Sequence, residues 1–504
     1  MSLPDALSTL RWLPRRVQHA HVADVLRREI AAVLDTDASL IDTDQSLAYL
    51  GVDSQRAALL QVRLSQQWRV ALPMEALAFA DTIDGLADLF VRTLNGEDVT
   101  GGGLNGDALR TAVDADLTLD ALPAAGAELD IAQVTHPRHI LLTGATGYVG
   151  AFLLHDLLTH TDAVVHCLVR ASDAATADRR VSDNLQRYGL WSDAWRDRIA
   201  VEPGDLSREA FGWTSERYRA LAARIDAIHH NGASVHLLWS YGKLRGPNVL
   251  GTRAILRFAA SERVKPVFFM STAGIFDTPE MANAIRIDED DWPRDVAGLP
   301  NGYTQSKWAG ERLMALARDA GIPVTVFRVG PVLAESGAGV VHMNDLLARA
   351  FFASLDLGVA PVPPQPVDIV PVDYVARTVG HLALRVDSRN RTFHIVNPAP
   401  LTRAQLHDLL QTLPRPLELV PLDDWLARAI PVVLANPHHP LFPALDLLRA
   451  VGGGTTQAAR LLERALARPP LECQRTLDAL GGTGITCPPA HTRLREALQA
   501  AFPF

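Results

Sequence analysis

The sequence predicts an α/β fold: a Rossmann-type parallel sheet with a helical C-terminal cap, preceded by a small all-α four-helix domain. Three observations carry this reading. A largely apolar run, residues 139–142, is followed by glycines at 144, 147 and 150 and then by a helical stretch over 151–158. Strand, glycine turn and helix in that order make a grip for a pyrophosphate. The first glycine allows the tight turn, the second lets the backbone approach the phosphates, and the third lets helix and strand pack closely. The helix N-terminus adds free N–H groups and the positive end of its dipole. Further strand-like runs follow at 163–169, 225–228 and 266–270. Finally, residues 17–34, 54–68 and 82–94 each place apolar residues at helical spacing, with loops between them.

With 504 residues the chain is too long for one ordinary core, so two or three domains are expected. A composition of 48% apolar and 21% charged residues is globular, and the net charge of −9 argues against a nucleic-acid partner. No apolar run approaches the roughly 20 residues of a membrane span. Arg11, Arg15 and Arg16 precede no apolar segment of the kind a signal peptide needs, so the expected compartment is the cytoplasm. Cys167, Cys473 and Cys487 are scattered, which argues against a thiol-clustered zinc site or a disulfide framework. His438, His439 and His491 lack a second ligand pair at suitable spacing and read as surface histidines, so no metal is expected.

Along the chain, Leu47-Ala48-Tyr49-Leu50-Gly51-Val52-Asp53-Ser54 lies between the first two helical stretches. It resembles the attachment motif of acyl and peptidyl carrier proteins, a Leu-Gly-x-Asp-Ser turn before the second helix. The resemblance covers about eighty residues, with Gln55 a departure where carriers mostly have an apolar residue. It implies that residues 1–94 are a carrier domain with 4′-phosphopantetheine on Ser54, installed by a phosphopantetheinyl transferase. A phosphodiester at a helix N-terminus meets the positive end of the dipole. Residues 1–100 hold 9 basic and 14 acidic residues, an acidic balance suited to docking on basic patches. Residues 95–128, with Gly101-Gly102-Gly103 and little periodicity, read as a flexible linker holding one short helix.

Within the glycine loop, Gly144, Thr146, Gly147, Tyr148, Val149 and Gly150 are the candidate cofactor contacts. The run 163–169 ends at Arg170, where a dinucleotide fold that takes NAD places an acidic residue on the ribose 2′-hydroxyl. An arginine there suits a 2′-phosphate, which points to NADPH, with Arg180 a second candidate. Asp205, beside Leu206, is placed to accept from the adenine amino group. Asn231, Gly232 and Ala233 let backbone lie against the cofactor. Ser271-Thr272 ends another strand, and about thirty residues later Tyr303 and Lys307 stand one helical turn apart. There a nearby ammonium lowers the phenol pKa so that tyrosine exchanges a proton with a carbonyl oxygen. Lys307 is also placed to hold the nicotinamide ribose, and Thr272 donates a second hydrogen bond to the developing oxyanion. Lys307 is one of only three lysines among 48 basic residues, which makes chance less plausible.

These residues resemble the extended short-chain dehydrogenase/reductases, whose glycine loop has this longer spacing. More narrowly they resemble the thioester reductase domains that end nonribosomal peptide, polyketide and carboxylic acid reductase chains. The likeness runs over 129–504 and includes Arg328, Gly330, Pro331 and 367–376. It implies a Rossmann part over about 129–396 and a helical substrate-binding part over about 397–504, with helical stretches at 401–410, 423–434, 456–466 and 492–501. It implies NADPH-dependent release of a carrier-bound acyl or peptidyl thioester as an aldehyde or, after a second reduction, an alcohol. The acyl or peptidyl cargo would come from an upstream assembly-line enzyme. Two rivals are an extended dehydrogenase or epimerase acting on a free substrate, and a carrier-bearing docking scaffold without redox activity.

Overall fold

The structure is a computed structural model that describes residues 13–34, 36–44, 47, 50, 52, 60, 63–64, 82–95, 106–119, 134–237, 239–333, 335, 346–436, 439, 441 and 468–501. Ser54, Gln55 and residues 456–466 lie outside the described residues. In the N-terminal part, α1 (Arg15–Leu34) and α2 (Ile83–Leu94) pack together. Val22, Leu26 and Ile30 recur every fourth residue on α1 and are fully buried, against Ile83, Leu86, Phe90 and Val91 of α2 and against Leu60 and Leu64. That stripe is what a helix needs to close a small core.

The helix expected in the linker is present as α3 (Gly106–Asp116), but it is not a free tether. Leu109 and Val113 are buried in one of the two main apolar clusters of the sheet domain. Their i, i+4 spacing gives even this short helix an apolar edge to bury.

The sheet domain runs β1 (His139–Thr143), α4 (Tyr148–His160), β2 (Val164–Val169), α5 (Ala174–Arg187), β3 (Ile199–Pro203), α6 (Ser215–Arg224) and β4 (Ala227–His230). It continues with α7 (Tyr241–Arg245), α8 (Gly251–Ala260), β5 (Val267–Thr272), α9 (Gly302–Asp319) and β6 (Val324–Val329). Then come α10 (Leu346–Leu357), β7 (Val359–Pro361), α11 (Val372–Ala383) and β8 (Thr392–Ile395). Seven strands form one parallel sheet in the order β3-β2-β1-β4-β5-β6-β8. Its inner strands are buried almost throughout, as strands covered by helices on both faces must be. One apolar layer joins Leu153 and Leu157 of α4, Val181 of α5 and Val375 and Val379 of α11. The opposite layer joins Ile255 and Leu256 of α8 with Leu313 and Met314 of α9. The strand order reverses between β1 and β4, which opens a crevice beyond their carboxyl ends.

The chain ends with α12 (Arg403–Gln411), β9 (Glu418–Val420), α13 (Leu422–Ala435), α14 (Gln474–Ala479) and α15 (Ala490–Ala501). The cap is not purely helical, and it does not start at residue 397. β7 pairs in parallel with β9, and Ala353 and Val359 share a cluster with Trp425, Leu426, Ala429 and Val433. Trp425 also donates to Ser354 Oγ at 3.0 Å. Conversely, α14 returns to the sheet, where Thr476 Oγ1 donates to the His394 carbonyl at 2.8 Å. Three-residue strands carry no readable period, and their pairing crosses some sixty residues of chain. His439 is buried rather than on the surface, because it accepts from the Leu441 N–H at 3.1 Å beside that cluster. His438 lies outside the described residues. Among the described residues, no helix is long and apolar enough to cross a membrane, and no group of His, Cys, Asp and Glu could hold a metal ion.

Candidate active site

The register of β1 on β4 sets Thr143 beside His230, so the loops leaving both strands meet at the crevice. Gly144 has φ +79°, a left-handed conformation that favours glycine, and a Cβ there would stand 2.8 Å from Asn231 Nδ2. Gly150 packs α4 against the loop so tightly that a Cβ would overlap the Gly144 carbonyl oxygen. Gly147 differs. The nearest atom to a Cβ at this position is 3.4 Å away, so packing does not demand a glycine here at the α4 N-terminus. Thr143 Oγ1 accepts from the Gly232 N–H at 2.7 Å and contacts His230 at 2.9 Å, while Asn231 Nδ2 reaches the Gly144 carbonyl at 3.4 Å. His230 bonds Thr252 on its other nitrogen at 3.0 Å, and burial pushes it down to about 3, so it is neutral. Thr146, Tyr148 and Val149 complete the turn, with Tyr148 packed on Phe152 and Tyr188. A cradle of this shape, with α4 N–H groups at its rim, fits a dinucleotide pyrophosphate.

Asn184 of α5 was not anticipated. Its amide donates to the carbonyls of Ala145 and Gly147, both at 3.0 Å, and so holds the loop from behind. The only sequence sign of it is a polar residue on the buried side of an amphipathic helix. Arg170 leaves the end of β2 exposed, and the Arg180 guanidinium on α5 hydrogen-bonds to the Arg170 carbonyl, which brings the Arg180 cation to the carboxyl end of β2. Asp205 follows β3, and its carboxylate accepts from the Ser207 N–H at 2.8 Å, which orders the turn carrying Leu206. Leu206 packs against the start of α8, where a Cβ at Gly251 would meet it at 3.0 Å. Ala233 is half-buried in the loop after β4. That loop is held by Asn248, which accepts from the Ser234 N–H at 2.7 Å and donates to Ser306 of α9 at 2.9 Å.

Thr272 ends β5, and Tyr303 and Lys307 lie on the first turns of α9. Thr272 Oγ1 accepts from the Gly274 N–H at 3.1 Å, and its hydroxyl and the Tyr303 side chain line the same cleft. The phenol is not lowered as the sequence suggests. Burial pushes it up to about 12, and the Thr272 hydroxyl only partly counters that. Lys307 Nζ donates to the Met270 carbonyl at 2.7 Å and sits over the Phe269 ring, and burial lowers it to about 8. Tyr303 is therefore a proton-bearing donor at neutral pH. Behind these residues lies a second group that sequence reasoning passed over. Glu311, one turn beyond Lys307, accepts from Ser271 at 2.5 Å and pairs with Arg328 at 3.0 Å, all three side chains being buried. The continuing i, i+4 spacing 303, 307, 311 was the available signal.

A family model described as male sterility protein matches residues 142–379, and one described as phosphopantetheine attachment site matches 24–90. The terminal R domain of the myxalamid PKS-NRPS biosynthetic pathway is 34% identical, with 77% of this chain and 96% of that chain covered and a TM-score of 0.68. The chain belongs to the terminal reductase domain family. A carrier domain precedes the reductase. The same two-part architecture recurs in a thiolation-reductase di-domain from an archaeal nonribosomal peptide synthetase, which is 20% identical with a TM-score of 0.60 and covers 96% of this chain and 98% of that one. One of the linear gramicidin synthase polypeptides of Brevibacillus parabrevis is 34% identical over 415 residues, 81% of this chain and 8% of its own length. The chain spans 8% to 40% of the length of four curated relatives that it matches.

In this terminal reductase, a cleft of about 500 Å³ opens beside Thr272 and Tyr303. Prolines at 363, 366, 398, 400, 469 and 470 line its walls with Leu471 and Leu477, giving rigid apolar surface. Arg468 pairs with Asp277 inside it at 2.5 and 2.9 Å. Asp368, held up to about 6 by burial, accepts from the Asn397 N–H at 2.8 Å.

Proposed function

We propose that this reductase releases an acyl or peptidyl chain, held as a thioester on 4′-phosphopantetheine at Ser54, by NADPH-dependent reduction to an aldehyde. The observation that carries the reading is the convergence of Thr272 and Tyr303 on an apolar cleft beside the glycine-loop crevice. Bound NADPH supplies a hydride, and the residues suited to hold it are Gly144, Thr146, Gly147, Tyr148, Val149, Gly150, Asp205, Leu206, Asn231, Gly232, Ala233 and Lys307. In this reading Arg170 and Arg180, at the end of β2, bind the 2′-phosphate. As the thioester carbonyl carbon gains hydride, its oxygen takes up negative charge. The Thr272 and Tyr303 hydroxyls are fixed donors for that charge, and Tyr303 gives up its proton to form a thiohemiacetal. Breaking the C–S bond then returns the thiol of the arm and frees the aldehyde. The proline-lined cleft holds the acyl chain and keeps water from the reacting carbon. The chain is delivered by an upstream assembly-line enzyme, and the arm by a phosphopantetheinyl transferase, both in the cytosol with this protein.

The test loads Ser54 with an acyl-phosphopantetheine, adds NADPH and follows cofactor absorbance with product mass. One NADPH consumed per aldehyde, or two per alcohol, with loss in Ser54→Ala and in Tyr303→Phe, is the expected result. A loaded carrier that leaves NADPH unconsumed over a range of acyl lengths would leave a very narrow substrate, favoured by tight NADPH binding in the same sample, or a docking scaffold, favoured by its absence. Replacing Arg170 and Arg180 with Ala should weaken NADPH by about 10–100-fold and leave NADH unchanged, the worth of a charge-assisted hydrogen bond.

A further inference from the structure

The helix α3 belongs by sequence to the linker, yet two of its charged side chains, Arg110 and Asp116, bind the reductase. Asp116, its last residue, is 1% exposed. Its carboxylate accepts from the Tyr241 hydroxyl at 2.7 Å and from Arg245 Nε and Nη2 at 2.7 and 2.5 Å. On the same helix Arg110 makes a two-pronged pair with Asp295 at 2.9 and 2.6 Å.

Both partners lead to the start of the catalytic helix. Tyr241 opens α7, and the backbone at Trp239, Ser240 and Tyr241 presses on Gly302 so closely that no Cβ could stand there. Gly302 is the first residue of α9 and the neighbour of Tyr303. Asp295 accepts from the Ala297 N–H at 3.0 Å and so caps the turn 296–298, and the next carbonyl, of Leu299, accepts from Gln305 of α9 at 3.2 Å. The segment before α7 also supplies Leu237 to the wall of the cleft. α3 thus touches both pieces of chain that wedge the first turn of α9.

We propose that Asp116, supported by Arg110, is a positioning residue of the reductase, which holds Tyr303 against Thr272 by bracing α7 and the 295–299 turn. The linker helix is then a working part of the catalytic unit, which begins upstream of residue 129. This role rests in part on the reductive reading above. It also shortens the carrier's covalent tether to residues 95–105, which at full extension reach about 40 Å.

The experiment compares full-length wild type with Asp116→Ala, Asp116→Asn and Arg110→Gln. For a free acyl-pantetheine thioester given in trans, Asp116→Ala should lower kcat at least ~10-fold with KM within about twofold, because small misplacements of reacting groups are costly. Asp116→Asn keeps an oxygen for Tyr241 and should recover most of kcat. Hydrogen exchange supplies a readout that needs no turnover: amides 304–308 should exchange at least ~10-fold faster in Asp116→Ala, with α4 unchanged. Unchanged exchange at α9, or an equal rise in α4 and α9, would overturn the positioning role. If Asp116→Ala does not fold, Arg110→Gln decides by the same measurement, since its side chain is 45% exposed. Wild type that turns over no thioester counts against reductive release, while the exchange comparison still judges the brace.

Discussion

The glycine loop permits a prediction in which fold and cofactor binding separate. Gly147→Ala places its methyl no closer than 3.4 Å to any neighbour, and its backbone, at φ −95° and ψ 172°, suits any residue. Folding should therefore be untouched, with an unfolding midpoint within about 0.5 °C of wild type. The methyl instead fills the space through which the backbone approaches a pyrophosphate. Losing a hydrogen bond to a charged group there costs about 1.5–3 kcal/mol, or about 10–100-fold in Kd. Gly150→Ala has the opposite character. Its methyl would overlap the Gly144 carbonyl, so α4 must shift off β1. Overpacking of that kind costs about 1–3 kcal/mol, a fall of roughly 1–4 °C in a domain of this size. Thermal unfolding without ligand and calorimetric titration with NADPH read the two effects. A Gly147→Ala protein with wild-type NADPH affinity, or a Gly150→Ala protein of unchanged midpoint, would refute the assignment of the loop.

Burial holds Lys307 at about 8, below its ordinary 10.5. Between those values the unfolded chain carries the proton that the folded one lacks, so this residue makes stability rise with pH from about 8 to about 10.5. Urea unfolding at pH 7.5 and 9.5 should show that rise in wild type and a smaller one in Lys307→Met; equal slopes would place the ammonium in water. Glu311→Leu leaves the buried Arg328 guanidinium without its carboxylate and should cost about 3–5 kcal/mol in denaturant unfolding. Adding Arg328→Met should restore a large part of that loss, and a single variant within about 1 kcal/mol of wild type would show the pair to be replaceable.

What the sequence determined by itself was local. The glycines at 144, 147 and 150 and the spacing of Tyr303 and Lys307 are each set by backbone geometry within a few residues, and the turn ending at Ser54 is a short motif recognised by its resemblance to carrier proteins. The parallel sheet followed from the same patterns, because strands alternating with helices wind that way. What only the tertiary structure decided depends on residues far apart in the chain. Asn184 and Glu311 look like ordinary polar residues of amphipathic helices until folding brings them to the loop and to Arg328. The direction of the Tyr303 shift reversed because burial, which no sequence spacing reveals, outweighs a lysine whose ammonium is already bonded to Met270. In the same way α3 reads as linker from composition alone. Its place in the reductase is decided by where Tyr241 and Asp295 lie, more than a hundred residues further along the chain.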